Sequence, residues 1–135
     1  GIVLVNGPGG FTSMRIVTLS VNTIAFVHRI PLYAIDFFTL LDRAGASFPM
    51  LLKANRGEYL VRTTREGEME LRPIDGLADG EYAGIGDEND FENRRISIQS
   101  SLDYEQCIRS LSLDRPLDRI EPIYVKRPNI GKKAP

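Results

Sequence analysis

The residues that could do chemistry are few. Gly7, Gly9 and Gly10 follow the apolar run Ile2-Val3-Leu4-Val5 and precede a helix-like stretch. Strand, glycines and helix N-terminus in that order can bind phosphate through backbone amides and the helix dipole. The spacing G-x-x-x-x-G-K-[ST] is absent, and Ser13 stands near the place of the third glycine in G-x-G-x-x-G. A tight turn that packs the strand closely against the helix is the simpler reading. His28 is the only histidine and Cys107 the only cysteine. A Ser–His–Asp system lacks its G-x-S-x-G elbow, and zinc lacks the two or three nitrogen or sulfur ligands it needs. Cys107 falls on the apolar face of a short helix pattern, which suits a buried, inert thiol. Asp87, Glu88, Asp90 and Glu92 lack EF-hand spacing and read as a solvated loop. No catalytic constellation and no metal site emerge from these residues.

The elements that must carry them are clearer. Ile2 to Val5 reads as a buried strand, and Asn6-Gly7-Pro8-Gly9-Gly10 as a tight loop. Thr12 or Ser13 is expected to cap a helix that runs to His28, with Pro31 closing the segment. Leu32 to Ile35 reads as a second strand. Asp36 then caps a short helix with Phe37, Leu40, Leu41 and Ala44 on one face, stopped by Gly45. This βαβα order implies a parallel strand pair. Met50 to Ala54, Glu58 to Thr64 and Glu68 to Ile74, separated by turns at Asn55-Arg56-Gly57 and Arg65-Glu66-Gly67, predict a three-stranded antiparallel meander. Tyr82 to Ile85 is a weak strand. Asp103 caps a last helix with Tyr104, Cys107, Ile108 and Leu111 on one face, and Ile120 to Val125 reads as a final strand.

The first helix has too much apolar surface for one side. At 100° per residue, Met14, Val17, Val21, Ile24 and Ala25 form one stripe, and Ile16, Leu19, Phe26 and Val27 fall roughly opposite. A helix apolar on two faces has to be buried twice, once on its own sheet and once on another element or chain. We assign the partner interface to Met14, Val17, Val21, Ile24 and Ala25.

Bulk composition excludes several classes. A chain of 135 residues is one domain or two small lobes. Its net charge of −1 offers no global basic field to hold nucleic acid. Lys126, Arg127, Lys132 and Lys133 make a basic tail that reads as loose and solubilising. The longest charge-free stretch, Ile16 to Val27, falls short of the roughly 20 residues a membrane helix needs. With one cysteine and no secretory pattern at the start, the expected compartment is the cytoplasm.

Three segments, in order, resemble the TsaB (YeaZ-like, glycoprotease-like) family of tRNA threonylcarbamoyladenosine biosynthesis. "GPGGFTSMRI" is similar to G-x-G-S/P-F/Y-T-G-V/L-R-I/V: Gly7, Gly9, Phe11, Thr12 and Arg15 match, while Gly10 and Ser13 depart. "KANRGEYL" is similar to D-A-R-R/M-G-E-V-Y, with Ala54, Arg56, Gly57 and Glu58 matching and Lys53 in place of Asp. "IEPIYVKRP" is similar to P-x-Y-L/I-R through Pro122 and Tyr124, with Lys126 in place of Arg.

The resemblance implies an α/β fold of the actin/Hsp70-like (ASKHA) type, two-lobed, with mixed sheets flanked by helices. It implies a truncated first lobe, the opening strands lying before Gly1. The lobes would then be 1–48 and 49–127, with 128–135 as a flexible tail. It further implies a non-catalytic subunit that binds a TsaD-like transferase, with a TsaE-like ATPase as a further partner. Alone, such a protein would form a homodimer; it would meet tRNA only indirectly and no membrane. No cofactor is implied beyond weak nucleotide binding at a partner interface. The rival readings are a stand-alone homodimer and a small nucleotide-binding enzyme or peptidase that uses the glycine loop.

Overall fold

The computed structural model describes residues 1–99 and 103–125 in two compact units. One comprises Gly1–Asp36 with the segment from Arg115 onward, the other Phe37–Asp114. Packing thus divides the chain at Asp36 and Asp114, where the sequence reading divided it at 48 and 127. The basic tail and the residues 128–135 lie outside the described residues.

The first unit is a βαβ crossover. Strands β1 (Ile2–Val5) and β2 (Leu32–Ile35) pair in parallel, Ile2 beside Leu32 and Val5 beside Ile35, and helix α1 (Phe11–His28) joins them. Ile2, Leu4 and Ala34 pack with Val21 and Ile30 around a buried centre of Ala25, Leu32 and Ile120. Val3 and Val5, on the opposite side of the pleat, are each 39% exposed. The helix starts earlier than Thr12 or Ser13 would allow as cap. Gly10 is the N-cap, without a side-chain bond, and its carbonyl accepts from the Met14 N–H at 2.9 Å. Arg29 ends it in the left-handed conformation (φ 53°), its N–H returning to the Ala25 carbonyl, so the chain leaves the helix before Pro31.

The C-terminal segment closes this unit, but not as the expected strand over Ile120 to Val125. Only Tyr124 forms a bridge, parallel to Gly9, and Leu117 forms another with Leu32. Two side chains take the backbone groups that a ladder would use. Asn22 clamps Ile120 twice, accepting from its N–H at 2.8 Å and donating to its carbonyl at 3.0 Å. Asn6 donates to the Glu121 carbonyl at 2.9 Å. Pro122 has no N–H to offer.

The second unit is a mixed five-stranded sheet. Strands β3 (Met50–Asn55), β4 (Glu58–Arg62) and β5 (Glu70–Pro73) form the antiparallel meander, β3 one residue longer than its run suggested and β4 and β5 shorter. Strand β6 (Gly80–Ile85) lies parallel to β3, and β7 (Ile96–Gln99), absent from the sequence reading, lies parallel to β6. Leu51, Tyr59, Val61, Leu77, Tyr82, Phe91 and Ile96 make the core on one face. Helices α2 (Phe37–Arg43) and α3 (Tyr104–Arg109) meet where the buried Cys107 thiol donates to the Leu40 carbonyl at 3.5 Å. In α2 it is Phe38, fully buried, rather than Phe37 that anchors the helix. Asp103 caps α3 as expected, accepting from the Gln106 N–H, but Ile108 points outward at 58% exposure.

Candidate partner interface

Which of the two apolar sides of α1 turns inward is decided by side-chain size. Ala25 is 4% exposed because its methyl lets the helix settle onto Leu32 and Ile120, and Val21 packs beside it. Thr18 can be buried at the same level because its hydroxyl donates to the Met14 carbonyl of its own helix, 2.7 Å away. Met14, half-buried, continues this inward line. Two of the five residues assigned to the partner interface, Val21 and Ala25, therefore serve the unit's own core, and Met14 lies half-buried beside Gly9. Only Val17 and Ile24 stand at the surface.

The exposed apolar set lies elsewhere on the helix. Ile16, Leu19, Phe26 and Val27 are 60%, 69%, 87% and 65% exposed. Ile16, Leu19 and Phe26, with Thr23, recur at alternating spacings of three and four, the repeat that packs one helix on another. Val17, Ile24 and Val27 form a second such row alongside. Single exposed apolar residues are ordinary; here they recur along the length of the helix.

The glycine turn is held by its own chain. Gly9 donates its N–H to the Ile123 carbonyl at 3.1 Å and accepts from the Val125 N–H at 3.1 Å, while the Ile123 N–H reaches the Asn6 carbonyl at 2.7 Å. Gly7 has φ 123°, and a Cβ there would stand 2.2 Å from the Ile123 carbonyl oxygen. The turn is thus a seam between β1 and the C-terminal segment, with the Gly9 amide already committed. The Phe11 ring meets Tyr124 at 4.9 Å, and the Arg15 guanidinium lies 5.2 Å above Phe11. Residues of the first and third motifs, more than a hundred positions apart in sequence, so come together along an open groove of about 650 Å³. Its walls include Phe11, Arg15, Ile16, Leu19, Pro122 and Tyr124. Thr12 and Gly10 are at the mouth of the helix, Gly10 with open space around it.

The second motif sits in the other unit, on the β3–β4 turn. Gly57 takes φ 71° there, its carbonyl accepts from the Ile74 N–H, and the Asn55 amide donates to Glu58 at 3.1 Å. Arg56 is exposed at the tip and Ala54 half-buried beside it.

The acidic run is only partly the solvated loop expected of it. Lys53 on β3 reaches Asp87 at 2.6 Å and Asp90 at 3.1 Å, and the hydroxyl of the buried Tyr59 donates to Asp90 at 2.6 Å. Tyr59 in turn accepts from the Asp87 N–H. The Lys53 ammonium holds the Asp87 carboxyl below its usual range; the Tyr59 hydroxyl and then Lys53 do the same for Asp90. Burial, then the Asp90 hydrogen bond, pushes Tyr59 up to about 12.

A lowered carboxyl pKa stabilises the fold above the ordinary range, about 4, and that contribution disappears as pH falls through the native value. The stability gap between wild type and Lys53→Met is therefore expected to close as pH drops from about 5 toward 2. Urea midpoints across that range check it, and a gap independent of pH would contradict it. At the other end, the raised Tyr59 contributes below about 10 and is lost as pH climbs through its native value.

Among the described residues, no group of three or more His, Cys, Asp or Glu side chains is placed to hold a metal ion. No helix among them is long and apolar enough to cross a membrane.

The structure defines a two-unit α/β chain whose sheets, one parallel pair and one mixed, are flanked by helices. Among solved structures it is similar to YeaZ from Pseudomonas aeruginosa, with 24% identity and a TM-score of 0.49, over 80% of this chain and 63% of that one. The chain thus spans less than two thirds of that protein's length. No protein-family model and no curated protein matches it.

Proposed function

We propose that this chain is a non-catalytic partner subunit, binding a TsaD-like threonylcarbamoyltransferase in tRNA threonylcarbamoyladenosine (t6A) modification. The observation that carries the reading is the strip on α1, where Ile16, Leu19, Phe26 and Val27 stand exposed while the opposite side is already used by the unit's own core. The motif resemblance supplies the partner's class: "GPGGFTSMRI", "KANRGEYL" and "IEPIYVKRP" occur in family order. The test is titration of the chain with a TsaD-like protein, reading stoichiometry and affinity. One-to-one association supports the proposal, and no association at micromolar concentration sinks it.

The enzyme reading has a specific obstacle. A phosphate cradle at the glycine turn would need the Gly9 amide, which is bonded to Ile123. Calorimetry with ATP-Mg is therefore expected to give no submicromolar binding; such affinity, lost in Gly9→Val, would promote the enzyme reading instead.

A further inference from the structure

Asn6 is the only asparagine of the chain followed by glycine; Asn22, Asn55, Asn89 and Asn93 each precede a residue with a side chain. An asparagine–glycine pair is chemically labile. Glycine carries nothing to shield its nitrogen, which can attack the amide carbon of the side chain before it.

In the fold this pair lies under the C-terminal segment. The Asn6 side chain donates to the Glu121 carbonyl at 2.9 Å, and its backbone carbonyl accepts from the Ile123 N–H at 2.7 Å. Its own N–H is bonded to the Ile35 carbonyl at 3.1 Å. Asn6 is thus pinned at three points, two of them supplied by the segment. Among the described residues nothing accepts from the Gly7 N–H, so the attacking nitrogen has no bond to give up. Gly7 is buried and Asn6 half-buried, so water and hydroxide reach the pair only when the segment lifts.

We infer that Asn6 is a deamidation site gated by the C-terminal segment, and that its conversion loosens that segment. The Gly7 nitrogen gives its proton to hydroxide and attacks the Asn6 Cγ. A C–N bond forms, the Cγ–Nδ2 bond breaks, and the leaving nitrogen takes a proton from water and departs as ammonia. Water then opens the succinimide at one of its two carbonyls, giving aspartate or isoaspartate. Aspartate replaces the donor to the Glu121 carbonyl by an oxygen that repels it. Isoaspartate lengthens the main chain by a methylene and displaces the carbonyl that Ile123 uses. The gate is therefore weakened by the reaction it controls. This site is independent of the partner-subunit reading.

Incubation of the full chain at mildly alkaline pH, followed by trypsin and mass spectrometry, reads the conversion. The fragment spanning residues 1–15 contains Asn6 as its only amide side chain, and a synthetic peptide of the same sequence gives the unrestrained rate. The folded chain is expected to react about 10-fold more slowly than the peptide, because each event waits for a local opening. Ile120→Val trims one buried methylene from the segment, leaves Asn6 and Gly7 untouched, and is expected to react about 5-fold faster than wild type. In Asn6→Asp, hydrogen exchange at the Ile123 and Val125 amides is expected to quicken. The Ala83 amide, bonded to the Pro49 carbonyl in the other unit, keeps its rate. An Asn6 amide that survives in both chains while the peptide reacts to completion would overturn the site. Equal rates in wild type and Ile120→Val would overturn the gating, and unchanged exchange in Asn6→Asp would overturn the loosening.

Discussion

Replacing Leu19 and Phe26 together by glutamate is expected to abolish association with a TsaD-like protein while leaving the chain folded. Both side chains are mostly exposed, at 69% and 87%, so the free protein loses little; surface changes of this kind shift stability by about 0.5 kcal/mol or less. In a complex each would bury a large apolar group worth roughly 1.5–3 kcal/mol. The variant forfeits that and brings two charges to the centre of the contact. A loss of about 1,000-fold in affinity follows if both are buried, read by titration alongside an unchanged thermal melt. Binding that survives the double substitution would move the interface elsewhere. Val21→Glu or Ala25→Glu would be a poor substitute, since Val21 and Ala25 support Leu32 and Ile120 and the fold would fail together with the contact.

The second large effect concerns the glycine turn. Gly7→Ala is expected to destabilise the first unit by about 2–5 kcal/mol. Two causes add: a backbone conformation that suits only glycine, and a methyl driven into the Ile123 carbonyl. Relief requires the C-terminal segment to lift away, breaking the bonds that join Ile123 to Asn6 and Gly9. Urea-induced loss of helical circular dichroism measures the cost. A variant as stable as wild type would show that the seam contributes nothing to holding α1.

Much of the first unit is legible in its sequence, because its signals are local. Two short apolar runs, a glycine-proline loop between the first and the helix, and Pro31 before the second are enough to place β1, α1 and β2. The meander is legible for the same reason, from its turns at Gly57 and Gly67. What is not legible depends on which residues meet across long sequence distances. The two-sided character of α1 can be read from helical spacing; the choice of inner side rests on Ala25 fitting against Leu32 and Ile120, and Ile120 is far away in the chain. The C-terminal segment looks like a strand because its residues suit one, yet Asn6 and Asn22 claim its backbone. Lys53 reads as a departure from a motif, and only strand register brings it to Asp87 and Asp90. Strand β7 is four residues with a plain alternation, too short to stand out from the charged loop before it.

The central claim is that the outward side of α1 is the surface a partner covers. Methyl NMR with a soluble paramagnetic agent tests it directly, with probes at Ile16, Leu19, Ile24 and Val27 and with the buried Leu51 and Val61 as references. Adding a TsaD-like protein is expected to protect the four α1 methyls from the agent and leave the two references unchanged. Protection confined to the β3–β4 turn, or α1 methyls as accessible with the partner as without it, would contradict the account.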